Sequence, residues 1–158
     1  MILPVVKYPH KKLRKVCQPA KTELAHHRTL ARRLMETMKA HKAYGIAANQ
    51  VEPGELVRII AVNTSTYKGA MFNPEILSKE GVICEKEGCL SLKEEFQVFR
   101  AKMIRAKWKN ISGIEIEQIF QGMDAVIIQH EIDHLNGILA SDYEPDHEPK
   151  LTEKDQKA

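Results

Sequence analysis

The sequence predicts an α+β fold in which antiparallel sheets pack around a central buried helix, and three observations predict it. Residues 24–41 and 123–135 carry apolar side chains at helical spacing, the second stretch nearly all round. Between them lie short segments of extended character, over 56–62, 75–77, 82–92, 96–108 and 114–117. The connections are short, as in a domain whose elements pack in layers around one core. Residues 1–143 are expected to form that domain, and residues 144–158 a polar tail without an apolar stripe, too poor in apolar side chains to order itself.

The first helix is set by Leu24, Leu30, Leu34, Met35 and Met38. Tyr44-Gly45-Ile46-Ala47-Ala48 follows, a small-residue stretch where backbones can approach closely. Pro53-Gly54 precedes the apolar segment 56–62, and Asn73-Pro74 is expected to turn the chain before 75–77. Asn110 to Gly113 is a second turn, leading into the alternating Ile114-Glu115-Ile116-Glu117. Gly122 then opens the long apolar helix, with Asp124 in its first turn, where a negative charge suits the helix dipole, and Gly137 as its stop.

With 158 residues the chain is long enough to bury a core without covalent staples. Its formal charge of +3 is too small to imply a nucleic-acid partner. Basic runs over 7–15 and 100–109 are read as solvated faces. No apolar run approaches the ~20 residues of a membrane span, and the start lacks the pattern of a signal peptide. The odd set of Cys17, Cys84 and Cys89 does not suggest a disulfide framework, so a cytoplasmic location is expected.

The chemistry-bearing feature is His130-Glu131-Ile132-Asp133-His134, an H-E-x-x-H motif on the buried helix. Histidines four apart lie one turn above each other, so both imidazoles can reach one metal ion, and Glu131 can act on a water bound to it. A third histidine at position 140 would extend the motif, but that residue is Ala140. Downstream glutamates (Glu144, Glu148, Glu153) belong to the tail. The best third ligand is upstream, Cys89 in Glu87-Gly88-Cys89-Leu90-Ser91, since one thiolate and two imidazoles leave a fourth position open for catalysis.

With these residues the chain resembles the peptide deformylases, which remove the N-formyl group from the initiator methionine of nascent proteins. Residues 44–50 are similar to the family's glycine motif ending in glutamine, 87–91 to its cysteine motif and 129–135 to its helix motif. Tyr8-Pro9, Leu13-Arg14 and Asn73-Pro74-Glu75-Ile76 add to the likeness. The resemblance implies Cys89, His130 and His134 as ligands of ferrous iron, with zinc, nickel or cobalt as substitutes. It implies that a metal-bound water attacks the formyl carbon, that Glu131 takes its proton and later protonates the amine, and that Gln50 and the Leu90 N–H hold the oxyanion. It further implies substrate contacts from Gly45, with Tyr44, Gly88, Val126 and Ile127 around the methionine side chain, and a structural Glu87–Arg100 pair.

The expected partners are N-formylmethionyl nascent peptides, met by a monomer. Residues 144–158 are too short for the long C-terminal helix of many bacterial members, so ribosome docking is expected to be weak. The chain departs from the family pattern at Ala43, usually glycine, at Leu92-Lys93, where a proline is common, and near Phe96, where a substrate-binding arginine often stands. Two rival readings use the same histidines: a closed structural zinc site completed by Cys84 and Cys89, and a metalloprotease completed by a tail glutamate.

Overall fold

Helix α2, Met123–Leu135, lies against a five-stranded antiparallel sheet, and helix α1, Ala25–Ala40, covers the sheet's other face. The sheet strands are β1 (Gly45–Ala47), β2 (Ile59–Asn63), β3 (Lys68–Glu80), β6 (Met103–Lys109) and β7 (Glu115–Gln121), in the order β1-β2-β3-β6-β7. Strands β4 (Ile83–Glu87) and β5 (Phe96–Arg100) form a separate hairpin. This computed structural model describes residues 1–143, so the expected tail and its glutamates lie outside the described residues.

The layers follow from side-chain alternation. On β2, Ile59 and Ala61 join the core under α1, with Leu30, Leu34 and Met38, whereas Ile60 and Val62 join the core under α2, with Ile128 and Ile132. A strand covered on both faces reads as an unbroken apolar run, which is what 59–62 is. Helix α1 ends as Lys42 enters the left-handed region (φ 52) and the Ala43 N–H bonds back to the Met38 carbonyl at 3.0 Å. Helix α2 ends at Gly137 (φ 74), where a Cβ would stand 2.7 Å from the Arg14 carbonyl oxygen. Among the described residues no helix is long and apolar enough to cross a membrane.

Three local expectations need correction. Asn73-Pro74 is not a turn between elements but a bulge inside the 13-residue β3. Asn73 tolerates the left-handed conformation (φ 53), and its side chain exchanges two hydrogen bonds with the Ala20 backbone, at 2.7 and 2.8 Å. The segment 96–108 is two strands, broken at Ala101, whose backbone N–H and C=O are both held by the Gln129 side chain of α2. Nor are the basic runs wholly solvated. The Lys12 ammonium is buried on the Val51 and Gly54 carbonyls, and Arg100 is only 4% exposed.

Candidate metal centre

One helical turn of α2 brings the two imidazoles together, His130 Nε2 lying 3.1 Å from His134 Nε2. Strand β4 delivers the third group. It ends at Glu87, the chain loops through Gly88, and the Cys89 sulfur joins the histidines, the three donor atoms lying within 4.8 Å of one another. Donors around a tetrahedral ion with bonds of ~2.0–2.3 Å lie roughly 3–4 Å apart, so this set is close to its liganding geometry. Cys84 is not in the cluster. It lies exposed on β4, two strand positions from another exposed residue, Lys86, while Glu87 turns inward.

Behind the triad stands a buried polar chain. Glu87 Oε1 faces His130 Nδ1 at 2.8 Å, which fixes the tautomer with the proton on Nδ1 and leaves Nε2 free to coordinate. Arg100 donates to both Glu87 oxygens at 2.8 Å and to Asp133 Oδ2 at 2.5 Å, and the Tyr143 hydroxyl donates to the same Asp133 oxygen at 2.6 Å. Burial works against charge on His130, but its hydrogen bonds to Cys89 and Glu87 raise it to about 10. Burial and the neighbouring His130 push His134 well below its usual value. Two imidazole nitrogens 3.1 Å apart need a hydrogen or a metal ion between them, and the sulfur beside them completes a donor set that suits a cation.

Glu131 is buried beside the triad, and burial raises its carboxyl to about 7. Among the described residues, four buried side-chain atoms lack a protein partner, Asn49 Oδ1, Trp108 Nε1, Glu131 Oε1 and His134 Nδ1, and of these Glu131 Oε1 belongs to the residue that lines the cavity. An unpartnered carboxylate oxygen is uncommon and suits a cavity that holds water beside the three donors. Gly45 is required here for space, since a Cβ built on it would stand 2.7 Å from Glu131 Cγ and Cδ.

Gln50, which looks like a surface residue apart from its motif, is 1% exposed. Its Oε1 accepts from the Ala47 N–H at 2.9 Å and its Nε2 donates to Ser91 Oγ at 3.1 Å, so the amide donor points toward the cysteine loop. The N-terminal segment ties the two motifs together: the Val6 N–H bonds the Gln50 carbonyl (2.8 Å), the Tyr8 N–H bonds the Ser91 carbonyl (2.9 Å), and the Lys7 ammonium contacts the Leu90 carbonyl. A cavity of about 410 Å³ opens beside Glu131 and the triad, lined by Tyr44, Gly45, Gly88, Leu90, Val126 and Ile127. Every site residue that the sequence singled out is thus brought to one place, except that Gln50 reaches it through Ser91 rather than from the cavity wall.

Sequence reasoning missed Asp133, Tyr143, Met123 and Asn49. Asn49 donates to the His134 carbonyl, and Met123 stands at the cavity mouth. Asp133 could have been found by its place in the motif, three residues after His130 on one helix face. A second group of His26, His27 and Glu55 also clusters, on the surface. There the His27 Nδ1 accepts from the Lys21 N–H at 2.9 Å, so Nε2 carries the proton and donates to Glu55 at 3.0 Å, which leaves it no lone pair for a metal.

An α+β fold that carries an H-E-x-x-H helix to a loop cysteine, with a buried carboxylate beside an apolar cavity, defines the class of a metal-dependent hydrolase. The chain belongs to the polypeptide deformylase family, whose model matches residues 2–150. The curated peptide deformylase of Dictyoglomus turgidum is 39% identical over 140 residues, covering 88% of this chain and 86% of that protein. That of Afipia carboxidovorans is 37% identical over 146 residues, covering 88% and 84%. Among solved structures, the class I type b peptide deformylase of Acinetobacter baumannii with Met-Ala-Ser bound superposes with a TM-score of 0.82 at 35% identity, covering 90% of this chain and 99% of that one. The peptide deformylase of Thermotoga maritima gives 0.83 at 30% identity, covering 90% and 97%.

Proposed function

We propose that this chain hydrolyses the formamide bond of N-formylmethionyl nascent peptides, with Cys89, His130 and His134 holding ferrous iron and Glu131 moving the proton. The observation that carries the reading is the buried Glu131, adjacent to the three donors and opening onto an apolar cavity. A divalent ion held by two imidazole nitrogens and one thiolate supplies Lewis-acid polarisation of the formyl oxygen and acidifies a water. Zinc, nickel and cobalt suit the same donors as substitutes.

The chain's own groups do the rest. Glu131 takes the proton of the attacking water and delivers it to the amine as the C–N bond breaks, leaving formate and a free N-terminus. The Leu90 N–H and the Gln50 amide are the oxyanion donors, the second reaching that position by giving up Ser91. Gly45 offers backbone to the peptide. Because the Asn63 N–H bonds the Tyr44 carbonyl at 2.8 Å, alternation along the antiparallel ladder turns the N–H and C=O of Gly45 away from β2, toward the free edge of the sheet. Val126 and Ile127 with Tyr44 and Gly88 enclose the methionine side chain.

Formyl-Met-Ala-Ser is the test substrate, because its product is the peptide held by the A. baumannii enzyme. Anaerobic assay with ferrous iron, or aerobic assay with nickel or cobalt, is expected to release formate. No turnover with any of the three would sink the proposal. Cys84→Ser is expected to keep metal and activity, and loss of metal in that variant would restore the closed structural site. Gly45→Ala is expected to lower kcat about 10²-fold with metal content unchanged, since the new methyl group must push the Glu131 carboxylate out of place.

A further inference from the structure

The free edge of β1 has one open direction. Toward Ile46 and Ala47 the strand is fully buried, and the Ala47 N–H is already taken by Gln50. A peptide whose first residue pairs with Gly45 must therefore run antiparallel to the chain, past Tyr44 (67% exposed) and Ala43 to Lys42. The chain itself leaves the strand here, with a bend at Tyr44 and a turn at His41–Lys42. Three extended steps of ~3.4 Å nonetheless carry the fourth peptide residue about 10 Å from the first, beyond Tyr44 and into the space around Lys42.

At that point the cavity joins a second, larger groove of about 880 Å³, the two sharing Lys42, Ala43 and Tyr44. Four exposed cations line it: Lys42, Arg32 and Lys39 of α1, and Lys68 of β3. Among the described residues none of the four is ion-paired. One carboxylate lines it as well, Glu36, which is paired with the Met1 amine, and Asp124 in the neighbouring hollow is held by Ser65. Lys42 also stands in the left-handed conformation (φ 52), where glycine is the less strained choice.

We infer that this groove is an extended substrate subsite that selects acidic side chains at the third and fourth residues of the nascent peptide. The inference rests on the deformylase reading above and adds to it a preference set outside the reacting centre. Lys42 and Lys68 are the specificity-determining residues, because they flank the exit from Tyr44. Exposed charge pairs are individually weak, so two of them together give about a tenfold preference at low salt. The preference fades near 1 M salt, where the screening length is roughly 3 Å.

The test compares kcat/KM for formyl-Met-Ala-Asp-Asp, formyl-Met-Ala-Ser-Ser and formyl-Met-Ala-Lys-Lys with the nickel-loaded full chain at low and high salt. The acidic peptide is expected to exceed the basic one about tenfold at low salt. That ratio should fall below about threefold at high salt and in Lys42→Ser/Lys68→Ser. Hydrolysis of all three at equal rates would overturn this inference and leave the deformylase reading intact; hydrolysis of none would overturn both. A flat ratio combined with binding of a short single-stranded RNA that the double variant loses would reassign the groove to nucleic acid.

Discussion

Glu131→Gln is expected to lower kcat for formyl-Met-Ala-Ser by about 10²–10⁴-fold while metal content and melting temperature hold. The carboxylate has no other work in the fold, since among the described residues its Oε1 makes no hydrogen bond and its surroundings already favour the neutral form. Glutamine keeps that neutral shape and volume but cannot accept a proton from water. Folding and the three metal donors should therefore be undisturbed, and the loss should fall on kcat far more than on KM. Steady-state kinetics, metal analysis and a thermal melt on one preparation separate the outcomes. Activity within a few-fold of the parent would remove Glu131 from the mechanism, and loss of metal would make it part of the ligand set.

Gly45 and Glu131 show how far the sequence can be read and where it stops. The H-E-x-x-H spacing is a local property of one helix, and a single turn of α2 is enough to bring the imidazoles together. The amphipathic face of α1 is legible for the same reason, because a period of 3.6 residues encodes which face is covered, and 59–62 is legible as a strand because it is a short unbroken apolar run. Contacts between distant segments carry no such period. Nothing near Gly45 in the sequence says that a helix 86 positions later places a carboxylate where its Cβ would go.

Arg100 is the sharper case. Local pattern put it with Lys102, Arg105 and Lys107 on a solvated strand face, yet it is buried between β5 and α2 because Glu87 and Asp133 await it there. Asn73 departs from its local pattern in the opposite way, a turn signal inside a continuous strand, because its partner at Ala20 lies 53 residues upstream. From the residues alone the cysteine is only the best remaining donor, and it is the resemblance of 87–91 to a family motif that singles it out. Its place beside the histidines depends on the β4–β5 hairpin folding over α2, a long-range event that the residues around Cys89 do not announce.

Removing that arginine is the substitution with the largest expected effect on stability. Arg100→Ala strips the positive charge from a buried set in which Glu87 and Asp133 both depend on it, and breaking such a pair costs about 3–5 kcal/mol. For a chain of this size that corresponds to a fall in melting temperature of roughly 6–20 °C. The same change frees Glu87 to turn from His130 Nδ1, so metal affinity should drop about 10–100-fold although no ligand has been removed. Tyr143→Phe is the control, since it deletes the hydroxyl's hydrogen bonds to Asp133 and from Arg100 Nη1 (3.3 Å) but leaves the Glu87–Arg100 pair whole, and it should cost only about 1–2 kcal/mol. A simple loss of packing would lower the melting temperature of the metal-free and metal-loaded protein equally. Weakened orientation of His130 lowers the loaded form more, because the stabilisation conferred by bound metal shrinks with its affinity. Glu87→Gln combined with Arg100→Ala should then be less destabilising than the sum of the two single changes, the buried carboxylate having lost its charge together with its partner. Full additivity, with unchanged metal retention in Arg100→Ala, would mean that the arginine only fills space behind the cysteine loop.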